Sequence, residues 1–230
     1  MADRQLSRSG NLLARLFYVL VRNLVVIWCR VWLRLVVVGQ ENLPRDGAFI
    51  VAPTHRSNLD IPVAAAVTTR RLRYMGKDSL WKFRPVGLVL SALGGFPVTR
   101  GTADLEALKR CVEVLKGGEP LVLFPEGTRR SGPLVSDLFD GAAFVAVKAG
   151  VPIIPVGIAG TEEAMGRGSR TIGRARCVMV IGSPIRETLY DGRRASREEL
   201  ASITAQLQDR LQVLLNDAAS RVQRRNQRRK

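Results

Sequence analysis

Four short, nearly unbroken apolar runs constrain the fold most: Ala48-Phe49-Ile50-Val51-Ala52, Leu121-Val122-Leu123-Phe124, the stretch from Val151 to Ile158, and the stretch from Arg176 to Ile181. Each is too short for a buried helix and lacks the polar alternation of a half-wet strand, so each reads as a strand buried on both faces. A further short strand is expected at Leu72-Arg73-Tyr74-Met75-Gly76. Helical stretches fall between these runs. Val63 to Arg71 reads as one, and Asp78 to about Leu93 as another, split near Pro85 and Gly87. Two more are expected at about 103–116, closed by Gly117-Gly118, and near 141–149. Strands alternating with helices predict an α/β domain whose mixed, mainly parallel sheet is covered by helices on both faces. In such sheets ligands gather beyond the carboxyl ends of the strands.

At that end of the first run stands Thr54-His55-Arg56-Ser57-Asn58-Leu59-Asp60, and His55 is the one histidine in 230 residues. A carboxylate five positions after the imidazole, where strand gives way to helix, is able to fix the ring's tautomer and leave the other nitrogen ready to take a proton. The same Asp60 also suits a plain cap of a helix starting near Ile61-Pro62. Two loops offer glycine beside arginine. Arg100 follows the turn Gly94-Gly95-Phe96-Pro97, and Arg129 follows Glu126-Gly127-Thr128. Glycine lets backbone amides approach an anion, and arginine grips phosphate oxygens in a fork. No P-loop lysine, metal-ligand cluster or Gly-x-Ser-x-Gly elbow occurs, so no cofactor is expected. Cys29, Cys111 and Cys177 are widely spaced and read as small buried apolar residues.

The net charge of +16 is concentrated at the ends. Residues 1–34 hold six arginines against Asp3, and residues 193–230 hold ten basic residues against four acidic ones. Basic ends suit an anionic membrane surface. Nucleic acid is the rival partner. It is disfavoured by the lack of finger, RNP or helix-turn-helix patterns and by an aromatic content of 6%. From Asn11 to Val38, Asn11, Arg15, Arg22, Asn23, Arg30 and Arg34 share one arc of a helical wheel, and Leu, Val, Ile, Phe and Trp fill the rest. The arginines interrupt any span long enough to cross a bilayer unaided. The expectation is one basic amphipathic helix, or two in series, in the membrane interface, its arginines snorkelling and Phe17, Trp28 and Trp32 near the headgroups. A wide apolar arc equally describes a core helix. These readings divide the chain into an anchoring segment 1–38, an α/β domain 39–192 and a C-terminal helix with a basic tail 193–230. That helix opens on the capping box Ser196-Arg197-Glu198-Glu199, and its tail from Arg221 onward is expected to fray.

Four ordered segments carry a family resemblance: Thr54 to Asp60, Gly95-Phe96-Pro97-Val98-Thr99-Arg100, Phe124-Pro125-Glu126-Gly127-Thr128-Arg129 and Val151-Pro152-Ile153-Ile154-Pro155-Val156. Together they resemble the motifs of the glycerolipid acyltransferases, whose best-known bacterial members act on 1-acyl-sn-glycerol 3-phosphate. The resemblance covers about residues 35–185. It implies transfer of an acyl group from acyl-CoA or an acyl carrier protein thioester to a lysophospholipid hydroxyl, lysophosphatidic acid first among them, at the cytoplasmic face of the cell membrane. It implies further that His55 is the base and Asp60 its orienting partner, with no covalent acyl-enzyme. Arg100, Glu126, Gly127, Thr128 and Arg129 fall on the acceptor-binding motifs, with Lys77 a further contact. One position departs from the pattern. Many members carry a basic residue before the Gly-Ala helix where this chain has Asp140. If that position faces the acceptor headgroup, a dianionic phosphate is less welcome and a larger or differently charged acceptor becomes credible; another lysophospholipid, glycerol 3-phosphate and a lyso-amino lipid are the rival acceptors for the same chemistry. A non-catalytic basic lipid- or nucleic-acid-binding protein is the alternative of a different class.

Overall fold

The computed structural model describes residues 12–98, 105–186 and 195–227. Seven strands form one sheet: β1 (Val36–Val38), β2 (Ile50–Pro53), β3 (Arg73–Lys77), β4 (Gly95–Val98), β5 (Leu121–Val122), β6 (Ile153–Ala159) and β7 (Val178–Ile181). Their spatial order is β1-β7-β6-β2-β5-β3-β4. Every neighbouring pair is parallel except β6 and β7, which run antiparallel with Val156 opposite Ile181 and Ala159 opposite Val178. The mixed, mainly parallel sheet expected from the apolar runs is therefore present.

Alternation within the strands decides what each face packs against. Ile50, Ala52, Leu121 and Ile153 meet α4 (Leu105–Lys116), α5 (Gly141–Ala149) and α7 (Arg197–Gln227) on one face. Phe49, Val51, Val122, Ile154 and Val156 meet α1 (Leu12–Trp32) and α2 (Asp60–Ala64) on the other. Two short helices complete the list: α3 (Arg84–Ala92) and α6 (Thr161–Ala164).

Several elements depart from the sequence reading. The first helix stops at Trp32, and Val36–Val38 joins the sheet as its edge strand, because three β-branched residues find a ladder partner in Val178–Val180. Residues 95–98, expected as a turn, form the opposite edge strand. Phe96 and Val98 are buried there, and Pro97 is tolerated because an edge strand has an unpaired side. The helix expected over 63–71 is only Asp60–Ala64. The split in the next helix is real: a 3₁₀ turn over Asp78–Trp81 precedes α3, which carries proline in its first turn.

The capping box at the start of α7 forms as expected, with the Ser196 amide donating to Glu199 Oε2 at 2.7 Å and the Glu199 amide donating to Ser196 Oγ at 3.2 Å. The fraying expected from Arg221 does not occur within the described residues. The helix continues to Gln227, Val222 is buried, and Arg225 donates to the carbonyls of Arg34 and Cys177. Arg228, Arg229 and Lys230 lie outside the described residues.

α7 crosses β6 at close range. A Cβ added to Gly157 would lie 2.6 Å from the Leu215 nitrogen and against the Leu214 backbone. Gly157→Ala is therefore expected to push helix and sheet apart and lower stability by about 1–3 kcal/mol or more, measured by urea denaturation.

Candidate active site

The site begins where β2 ends. Thr54 ties that end to β6 by accepting a hydrogen bond from the Ile158 amide at 3.0 Å, and the chain then turns through His55 into α2. Asp60 is fully buried. Its Oδ2 accepts from the amides of Arg56 (2.6 Å) and Ser57 (2.7 Å) and from His55 Nδ1 (3.0 Å), and its Oδ1 accepts from the Thr161 hydroxyl at 2.7 Å. Four donors facing one carboxylate replace the hydrogen bonds to water lost on burial. With Oδ2 already an acceptor for two amides, the imidazole bond requires a proton on Nδ1. The neutral ring therefore carries its lone pair on Nε2. The cap reading of Asp60 does not hold: Asp60 is the first residue of α2, Leu59 stands at the cap position, and the carboxylate reaches back to the amides of Arg56 and Ser57 and to the ring.

The ring itself is 13% exposed and stacks on Phe124, with centroids 4.1 Å apart. Among the described residues nothing hydrogen-bonds Nε2. The partly open imidazole thus presents a proton acceptor outward.

The loop after β5 packs directly against this turn. The Arg130 amide donates to the His55 carbonyl at 2.8 Å, and the His55 amide donates to Glu126 Oε1 at 2.9 Å. Glu126 is fully buried, and both its oxygens accept from Arg56 Nη1, at 2.9 and 2.7 Å. Glu126, which falls on an acceptor-binding motif, turns its oxygens into the protein, where they join the two loops. Arg56, which the sequence reading left without a role, is 3% exposed and also donates to the carbonyls of Gly132 and Leu134. Gly127 has φ +64°, and a Cβ there would meet the Phe139 ring at 2.7 Å, so the tight loop requires glycine. Gly127 and Thr128 are exposed, and Arg129 is half-buried beside them.

Of the remaining expected contacts, Lys77 is exposed at the carboxyl end of β3, two strands from β2 on the same sheet edge. Arg100 lies outside the described residues, two positions past the end of β4. Asp140, suspected of facing the acceptor, accepts instead from the Thr204 hydroxyl of α7 at 2.7 Å, which turns its carboxylate toward that helix. Thr161 was missed by the sequence reading. The one signal available was its place directly after a buried strand, where loop residues gather at the ligand edge.

The three cysteines are buried, and loss of solvent pushes the thiol of Cys29 up to about 11 and those of Cys111 and Cys177 up to about 12. At neutral pH they are protonated and enclosed, unsuited to act as nucleophiles. The arrangement is an imidazole held by a buried carboxylate and bordered by a glycine-arginine loop.

The family described as Acyltransferase matches residues 34–159, more than half of the chain. The chain belongs to that family. The matched segment contains His55, Asp60 and the loop 124–130, and stops two residues before Thr161. Among individual acyltransferases, the chain is similar to the 1-acyl-sn-glycerol-3-phosphate acyltransferase of Bacillus subtilis (strain 168), at 29% identity over 181 residues covering 78% of this chain and 87% of that one. It is similar also to the protein of the same name from Streptococcus pneumoniae (strain ATCC BAA-255 / R6), at 29% identity over 209 residues covering 87% and 74%. The crystal structure of the 1-acyl-sn-glycerophosphate (LPA) acyltransferase PlsC from Thermotoga maritima matches with a TM-score of 0.73 and 28% identity, over 94% of this chain and 84% of that one.

Proposed function

We propose that this acyltransferase moves a fatty acyl group from a thioester of coenzyme A or of acyl carrier protein to the free hydroxyl of 1-acyl-sn-glycerol 3-phosphate, producing phosphatidic acid. The observation that carries the reading is the His55 ring, held at Nδ1 by a buried carboxylate and open at Nε2, beside a loop bearing Arg129. Nε2 takes the hydroxyl proton as the oxygen attacks the thioester carbonyl carbon. The tetrahedral adduct collapses with cleavage of the C–S bond, and the imidazolium returns the proton to the departing sulfur. Asp60 steadies the transient imidazolium, and holding both reactants in line contributes up to about 7–11 kcal/mol. In this account Arg129, Arg100 and Lys77 hold the acceptor phosphate, Gly127 and Thr128 shape the loop against it, and Glu126 with Arg56 fixes that loop on the histidine turn.

Membrane association is part of the same proposal. Helix α1 buries Tyr18, Val26 and Cys29 against the sheet and leaves Leu16, Leu20, Leu24, Ile27 and Val31 exposed, a continuous stripe at helical spacing. The expected arginine arc is divided: Arg15 and Arg30 are exposed, while Arg22 turns inward and donates to the carbonyls of Ala65 and Thr68. Trp28 and Trp32 are half-buried against the core rather than lying outermost. Leu80, Phe83, Leu88 and Val89 are exposed on and before the neighbouring α3. No helix of the described residues is long and apolar enough to cross a membrane, and a stripe of this kind suits insertion to interfacial depth.

An acceptor panel tests the proposal. With one acyl-CoA, turnover on 1-acyl-sn-glycerol 3-phosphate is expected to exceed that on lysophosphatidylcholine or glycerol 3-phosphate. Arg129→Ala should raise the KM for the phosphate acceptor roughly tenfold or more, by loss of charge-assisted bonds. Equal rates on all three acceptors, unaffected by Arg129→Ala, would remove the phosphate from the reading.

A further inference from the structure

A second concentration of arginine lies on the other side of the catalytic pair. A cavity of about 580 Å³ is walled by Arg34, Gly160, Glu163, Arg174, Arg176 and Asn226, among others. These residues come from four separate places: the end of the α1 connection, α6 and the glycine before it, the approach to β7, and the last turn of α7. Because β7 is antiparallel to β6 and β1 is parallel to β7, the starting ends of β7 and β1 lie at the carboxyl edge of β6. The cavity therefore opens on the same sheet edge as His55. Thr161 of α6 holds Asp60, while Gly160 and Glu163 of the same turn face the cavity. Of the acceptor-side residues, Arg129 lies in the loop after β5 and Lys77 ends β3, strands on the opposite side of β2.

The arginines here are positioned rather than merely solvated. The Arg174 guanidinium lies 4.6 Å from the Trp32 ring centroid, and Arg176 Nη1 donates to Asn226 Oδ1 at 3.2 Å. A neighbouring hollow adds Arg221, Arg224 and Arg225. Guanidinium groups stay charged at every physiological pH, so gathering them costs mutual repulsion that an anion would relieve. Glu163 is the one carboxylate among the lining residues and offsets part of that charge. The volume and the planar forks suit phosphate groups, which arginine grips with two parallel bonds.

We propose that this cavity is a phosphate-binding site distinct from the acceptor loops. Two sources supply the same chemistry: the nucleotide phosphates of a coenzyme A thioester and the headgroup phosphate of an anionic phospholipid. The proposal concerns binding alone and does not depend on acyl transfer.

The test compares the purified full chain with Arg174→Gln/Arg176→Gln and with Glu163→Gln. Titration with adenosine 3′,5′-bisphosphate forms one arm. Co-sedimentation with phosphatidylcholine vesicles, with and without phosphatidylglycerol, forms the other. The double variant is expected to weaken binding in one arm by on the order of tenfold or more for each arginine removed, while Glu163→Gln strengthens it. Loss confined to the bisphosphate arm assigns the site to the thioester's nucleotide, and loss confined to the phosphatidylglycerol arm assigns it to lipid. Equal binding by wild type and the double variant in both arms, or no binding by wild type in either, overturns the proposal. Should the double variant fold poorly, the sign of the Glu163→Gln effect decides: unchanged or weaker binding overturns it.

Discussion

Asp60→Ala is expected to lower acyl transfer by on the order of 10³–10⁴-fold, and Asp60→Asn by distinctly less. The difference follows from the four donors around the carboxylate. Alanine leaves the amides of Arg56 and Ser57, the His55 Nδ1–H and the Thr161 hydroxyl without an acceptor in a fully buried place. Each unsatisfied donor costs about 1–3 kcal/mol, so the turn rearranges and the ring loses its orientation. Asparagine is able to keep its oxygen toward the three N–H donors and its amide nitrogen toward Thr161, whose hydroxyl rotates to accept. The tautomer survives and only the negative charge opposite the imidazolium is lost. Steady-state kcat/KM together with urea denaturation separates the two contributions. Equal rates for Asn and Ala would mean that the charge, and not the ring's placement, carries the whole effect.

Arg56→Ala is expected to lower stability by about 3–5 kcal/mol and to reduce activity without touching either substrate. Removing the guanidinium leaves the Glu126 carboxylate buried and unpaired, and frees the carbonyls of Gly132 and Leu134 as well. The His55 amide hangs from Glu126 Oε1, so the disturbance reaches the histidine turn directly. Replacing both partners, Arg56→Met with Glu126→Leu, removes the orphaned charge and should be less destabilising than Arg56→Ala alone. Urea denaturation of the singles and the double measures the coupling. Additive losses would show that the two loops are held together by something other than this ion pair.

The buried strands were legible because apolar runs of that length have one economical use in a folded chain. The short edge strands were not. Val36–Val38 continues an apolar helical pattern in sequence, and only its ladder with β7 draws it into the sheet. Gly95–Val98 contains glycine and proline, which signal a turn locally, while its edge position tolerates both. Helix α1 was readable as amphipathic, but periodicity alone assigned it one buried or one lipid-facing surface. The structure gives it a face against the sheet and a separate exposed stripe. At the site, His55 and Asp60 were legible because their spacing is local. Arg56 with Glu126, and Thr161 with Asp60, are joined across 70 and 101 residues, and no local spacing announces such contacts. Asp140 shows the converse: its sequence position suggested a substrate contact, and its partner Thr204 lies 64 residues away on α7.

In the proposed reaction the His55 imidazole activates the acceptor hydroxyl directly, with no acylated protein in between. Thiol release from acyl-CoA, followed with and without 1-acyl-sn-glycerol 3-phosphate in wild type and His55→Ala, tests it most directly. Acceptor-dependent release by wild type is expected, with no stoichiometric burst of thiol when acceptor is omitted and loss of release in His55→Ala with the fold retained. A burst without acceptor, or undiminished acceptor-dependent release by His55→Ala, would contradict it.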